Sequence, residues 1–169
     1  MSFWPPIKTA LESVFSRATG IPFVWTEDAR RVLRPPIGVL ELGQSRTVGR
    51  DSHNYIFRDS DIALDLTGHR ELTIGVQIIS RVAKNVVSSR IMAEQARLAL
   101  ANPVYRDELR SAGIIFVECH PITNLDFSRS RRKELRSSFD VVFSLLVKEH
   151  HAWPQGGFFE SVEVSENLL

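Results

Sequence analysis

The chain has 169 residues, enough for one well-buried core and too few for two ordinary domains, so a single domain over 1–169 is predicted. Hydrophobic residues at 43%, charged residues at 24% and a formal net charge of +1 exclude a disordered polyelectrolyte and single out neither a nucleic acid nor a membrane as partner. No apolar run approaches the roughly 20 residues of a membrane helix, and the N-terminus lacks the basic start and apolar core of a signal peptide, so a cytoplasm-like compartment is expected. The one cysteine, Cys119, offers no intramolecular disulfide and no metal-binding cluster, and reads as a small buried hydrophobe.

In chain order, Pro5 and Pro6 open a helix over 5–19, with Ile7, Leu11, Val14, Phe15 and Ala18 at helical spacing and Gly20 as its stop. The segment Ile21 to Trp25 reads as a short strand held to an edge position by Pro22. Extended segments follow from Ile37 to Val48 and from Tyr55 to Leu66, with a polar turn at Gly49 to Ser52 between them and a tight connection at Thr67-Gly68-His69. Leu72, Ile74, Val76 and Ile78 then alternate with Glu71, Thr73, Gly75 and Gln77, the cleanest period-two signal in the chain.

A second helix carries Val87, Ile91, Gln95 and Leu98 on one stripe, with Met92, Ala96 and Ala99 beside it, and a third runs from Val104 to Ala112 and stops at Gly113. Ile114 to Val117 is a dense apolar run of the kind found in strands covered on both faces, continuing past Pro121 as a bent or edge segment. The last long strand, Glu134 to His150, places Leu135, Ser137, Phe139, Val141, Phe143, Leu145 and Val147 on one face, and a short strand is predicted at Phe158 to Val164. This order defines an α+β fold, a mainly antiparallel β-sheet packed against two to three helices. Its parts are the helix at 5–19, sheet and helices over 23–164, and a tail at 165–169.

The strand Glu134 to His150 has a geometric consequence. At about 3.3 Å per residue it would span roughly 55 Å, against a diameter near 40 Å for a globule of this length. It must bend, end early or protrude, and a protruding ribbon with unpaired backbone groups is normally completed by a neighbouring chain. The far half of this strand and the hairpin of Tyr55 to Leu66 are therefore the first candidates for contact between subunits, which selects Phe57, Ile62, Phe143 and Leu145. Arg131 and Arg132 join them from the basic run Arg129-Ser130-Arg131-Arg132-Lys133, a cluster suited to a solvated turn, to phosphate or to an acidic protein surface.

Motifs with catalytic spacing are missing: the sequence has no GxGxxG, P-loop, HExxH, EF-hand loop or GxSxG. His150 and His151 are adjacent rather than four apart, and Cys119 and His120 point to opposite faces of an extended segment, which disfavours a metal site and a thiolate–imidazole pair. Asp51, Asp59, Asp61, Asp65 and Glu71 are scattered as in hairpin turns, without the lysine that completes a nuclease core. No catalytic residue, metal or cofactor is predicted, and a small nuclease or a nucleic-acid-binding module using Arg129 to Arg136 stands as the rival reading. Trp4, Trp25 and Trp153 lie beside prolines or loops, where such side chains anchor a terminus to the core or to another subunit.

Several stretches together carry a resemblance. Trp25, Arg31-Val32 and Pro35-Pro36, then Arg70-Glu71-Leu72-Thr73-Ile74, Ala93-Glu94-Gln95-Ala96-Arg97, Gly113-Ile114 and Arg136-Ser137-Ser138-Phe139-Asp140-Val141 are similar to the neck and tail-terminator proteins of tailed bacteriophages, over roughly Phe23 to Val164. The resemblance implies a non-enzymatic virion protein, assembled in the host cytoplasm, that forms a homohexameric ring at the top of the tail tube, ends tube growth and joins the tail to the head-side connector or stopper. Its implied partners are copies of itself, the tail tube protein, the sheath where the tail is contractile, and the connector, with genomic DNA passing through the lumen without sequence-specific binding. A head-tail stopper or another ring-forming tail subunit is the alternative within the same class.

Overall fold

The structure, a computed structural model, describes residues 4–28, 34–58, 61–81, 87–125, 127–129 and 132–152, with the side chains of 57–58, 61–63, 127–129, 132–133 and 149–152 outside that description. Helix α1 (Trp4–Thr19) buries Ile7, Ala10, Leu11, Val14 and Phe15, the face its spacing predicts. It ends where the Gly20 N–H donates to the Ser16 carbonyl and Gly20 turns to φ 71°, a left-handed conformation that costs glycine nothing. Strand β1 (Phe23–Trp25) then lies parallel to the start of β2 (Ile37–Arg58), with Phe23 opposite Gly38. A Cβ at Gly38 would land on the Phe23 ring, which itself stacks on Phe15 at 5.4 Å, so glycine permits the close approach of β1 and α1 to the sheet.

Strands β2 and β3 (Asp61–Arg81) form one antiparallel hairpin, and β7 (Arg132–Ala152) pairs along the whole of β3 from Ala63 opposite Ala152 to Arg81 opposite Glu134. The turns predicted at Gly49 to Ser52 and at Thr67-Gly68-His69 are corrected: both lie inside continuous strands. The polar residues of the first mark a bulge between Val48 and Ser52, one of two in β2, the other falling between Leu42 and Ser45. β4 (Ile114–Cys119) pairs with β7 on its far side, and β5 (Thr123–Asn124) and β6 (Phe127–Arg129) pair with earlier parts of β7. The sheet order is β1-β2-β3-β7-β4, antiparallel throughout except for β1.

Helix α2 (Ser89–Ala99) starts at Ser88, whose hydroxyl accepts from the Ile91 N–H, and α3 (Pro103–Ser111) starts at Asn102, whose side-chain carbonyl accepts from the Val104 N–H. Gly113 at φ 89° ends α3 and turns the chain into β4. The stripe of α2 that faces the sheet is Ser89, Met92, Ala93, Ala96 and Ala99, while Ile91 and Leu98 of the bulkier stripe are exposed. Small side chains let the helix axis approach β3 and β7 closely, which decides between two stripes of similar apolarity.

The helices cover one face of the sheet. Beneath them Leu72, Ile74, Val76 and Ile78 of β3 meet Phe139, Val141, Phe143 and Leu145 of β7, and α1 adds Leu11, Val14 and Phe15. Each such buried side chain contributes about 1.5–3 kcal/mol. Trp25, 1% exposed, takes the edge of Trp4 at 5.3 Å and so fixes the start of α1 to this core. Among the described residues the opposite face of the sheet, with Glu41, Glu71, Thr73, Gln77, Ser138 and Asp140, carries no helix, and its depressions include two of ≈ 180 and ≈ 300 Å³.

Candidate functional site: an assembly surface

The strands outrun the core. At 22, 21 and 21 residues β2, β3 and β7 are each on the order of 70 Å long, and the buried stripe stops near Leu72 and Leu145. Beyond it the three strands continue as a ribbon arm out to the hairpin end, where Arg58 is opposite Asp61. Alternation carries the helix-side face of the sheet onto the arm through Leu66 and Leu64 of β3 and Tyr55 of β2, which is opposite Leu64. Tyr55 is 56% exposed, and Val48 and Leu146 are exposed on the other face.

A clamp sits at the root of the arm. Arg70 Nη1 and Nη2 donate to Asp51 Oδ1 and Oδ2 at 2.6 and 2.7 Å, a bidentate pair across neighbouring strands. The Arg70 guanidinium holds the Asp51 carboxyl below its ordinary range. Gly68 makes room for the pair, since a Cβ there would overlap both the carboxylate and the guanidinium. Next to it, Arg46 meets Glu71 at 2.5 Å on the helix-free face.

The residues selected from the sequence fall in different places. Phe57 and Ile62 are opposite one another at the outer end of the β2–β3 hairpin. Phe143, 0% exposed, and Leu145, 4% exposed, belong to the chain's own core, and the exposed positions following them on β7 are Leu146 and Lys148. Their burial is a correction to their selection for a subunit contact: the helices cover the face on which both lie. Arg132 begins β7 opposite Arg129 of β6; Arg131 lies outside the described residues, as do Trp153 and the predicted strand at Phe158 to Val164.

Two surfaces escaped the sequence reading. Ile115 and Val117 of β4 are 54% and 47% exposed: β4 is an outer strand rather than one covered on both faces, and Ile115, opposite Ser144, stands on the face that no described helix covers. On α2 and before it, Val87, Ile91 and Leu98 point outward, with Val104 of α3 beside them in the chain order. Among the described residues the two long sides of the sheet thus end in open strands, β4 on one and β2 beyond Leu40 on the other. Sequence signals for this were present only as a shortage of polar residues on Ile114 to Val117, which an edge and a centre share.

The chemistry of the described residues is sparse. No group of three or more His, Cys, Asp and Glu side chains is placed to hold a metal ion among them. Burial pushes the Cys119 thiol up to about 11, and its sulfur contacts the His120 carbonyl rather than the imidazole. No described helix is long and apolar enough to cross a membrane.

Among the described residues the protein is thus an α+β sheet with two open edges and a three-stranded arm that no described helix covers. The chain belongs to the phage neck terminator protein family, whose match spans residues 9–166, and it is thereby a structural component of the phage tail and neck. None of the curated proteins matches it.

Proposed function

We propose that the chain assembles with copies of itself into a closed ring, a hexamer, that seats on the end of the tail tube, stops its polymerisation and joins it to the head-side connector. The family match over residues 9–166 carries this reading. The arm supports it: a three-stranded ribbon with Leu64, Leu66 and Tyr55 on one face gains little from its own chain and becomes stable when neighbours cover it. A ring of identical subunits in one orientation has two unlike ends, as a joint between unlike partners needs. DNA passes through its opening without base-reading contacts, and the single domain of this chain is the repeating unit.

Native mass spectrometry and negative-stain images of the full chain test the ring directly, with six-fold particles as the expected result. Infection with a phage lacking the intact gene is expected to give tails of irregular length that carry no heads. A protein that stays monomeric at high concentration, together with normal tails in its absence, overturns the proposal.

A further inference from the structure

The two open edges match each other, and the match comes from register. Following one row across the sheet, Ile115 of β4 is opposite Ser144 of β7, Ser144 opposite Glu71 of β3, and Glu71 opposite Arg46 of β2. The adjoining rows run from Ile114 to Thr47 and from Phe116 to Ser45. These three residues of β4 precede its bulge at Val117, and Ser45 to Thr47 lie between the two bulges of β2. The regular stretches of the two edges therefore stand at one level on opposite sides of the same sheet. Below that level the β2 edge is occupied by β1 against residues 38–40, while on the other side β5 takes the place of β4 against Ser137 and Ser138 of β7.

Direction also agrees. β2, β3, β7 and β4 reverse at every step, so β4 runs opposite to β2. A second copy in the same orientation consequently presents its β2 antiparallel to β4 of the first, and the alternation of the sheet continues across the joint. A joint between unlike edges is heterologous, the kind that closes into a ring when each step adds a rotation, and sheet twist supplies a rotation of fixed hand.

We infer that neighbouring subunits join by antiparallel pairing of Ile114-Ile115-Phe116 in β4 of one copy with Ser45-Arg46-Thr47 in β2 of the next, an inference that rests on the ring proposed above. Charge favours this occupant. Arg46 and Arg50 are exposed along β2, whereas Glu118, two sheet positions from Ile115 on the same face, is exposed on β4 and becomes a diagonal neighbour of Arg46 across the joint. The bulges on either side confine the pairing to three residues and so fix its register.

Disulfide trapping in the full chain tests the joint. In a Cys119→Ser background, Ile115→Cys is combined with a cysteine at Ser45, Arg46 or Thr47, and oligomeric state is read by native mass spectrometry before oxidation. Expected is a ladder of disulfide-linked species from at least one double variant, and no linked species from any single variant. Rings that form while no double variant cross-links, or single variants that link to themselves through like edges, overturn the inference and leave the ring standing. Monomers before oxidation overturn the ring and the inference together. As a second measure, Ile115→Lys is expected to raise the concentration for half-assembly about tenfold or more with the monomer's melting curve unchanged; unaltered assembly counts against the β4 edge.

Discussion

Arg70 grips Asp51 with both terminal nitrogens where the ribbon arm leaves the core, at 2.6 and 2.7 Å, across the β2–β3 pair. Both side chains are about one-quarter exposed, at 25% and 29%, so the pair is neither fully screened nor dry. It stands beside a bulge, where ladder pairing is locally lost, and links the strands through side chains instead.

The pair makes the arm sensitive to acid. Because Arg70 lowers the Asp51 pKa in the folded state, the stabilisation is complete above the ordinary carboxylate pKa and is lost as pH falls through the lowered value. Amide exchange at pH-matched intrinsic rates is expected to show the arm opening in acid before the core does. Asp51→Asn should give the arm the same opening at neutral pH and remove its acid dependence; an arm whose protection is equal at pH 7 and pH 3 contradicts the assignment.

Core and edge positions on β7 separate cleanly in stability. Phe143→Ala empties a fully buried site and is expected to cost about 3–5 kcal/mol in urea unfolding, whereas Leu146→Ala on the exposed side should stay within about 0.5 kcal/mol. Comparable losses at the two positions would mean that the helix layer does not lie where Phe143 points.

The two stripes of α2 give the opposite pattern to the one their sizes suggest. Ala96→Leu forces a large side chain between the helix and the sheet and is expected to destabilise by about 1–3 kcal/mol, while Leu98→Gln, at a position 66% exposed, should leave the melting temperature nearly unchanged. Thermal melts of the two variants decide which stripe faces inward.

Cys119 should be slow to alkylate. With its thiol at about 11, only about a thousandth is thiolate at pH 8, against roughly a quarter for a free cysteine. Mass spectrometry of iodoacetamide-treated native protein is therefore expected to show little modification, with rapid reaction once urea unfolds the chain. Rapid labelling of the folded protein would place the sulfur in open solvent.

Much of this fold was legible because its signals are local. Pro5, Pro6 and Gly20 bracket α1, Gly113 stops α3, and the alternation through Leu72 and Ile78 identifies the middle of β3 without reference to anything distant. What failed depended on partners far along the chain. Gly49 to Ser52 and Thr67-Gly68-His69 have turn composition, yet Asp51 is held by Arg70 and Gly68 is small to admit that pair, a reason visible only after the strands are aligned. Ile114 to Val117 read as a strand covered on both faces because an unbroken apolar run does not tell which of its residues are buried. Phe143 was selected for its place on an over-long strand, but the excess begins only after Leu145.

The order of strands in space differs from their order along the chain, with β7 between β3 and β4. The β2–β3 hairpin closes through neighbours in sequence, but Ile74 waits for Val141 and Phe116 waits for Phe143. During synthesis, then, the helices and the hairpin emerge with their apolar faces unmatched until the last long strand threads between them. The β4 strand is laid onto the sheet by that same event, so the far edge of the sheet exists only once β7 is in place, and an unfinished chain has the hairpin without its opposite side.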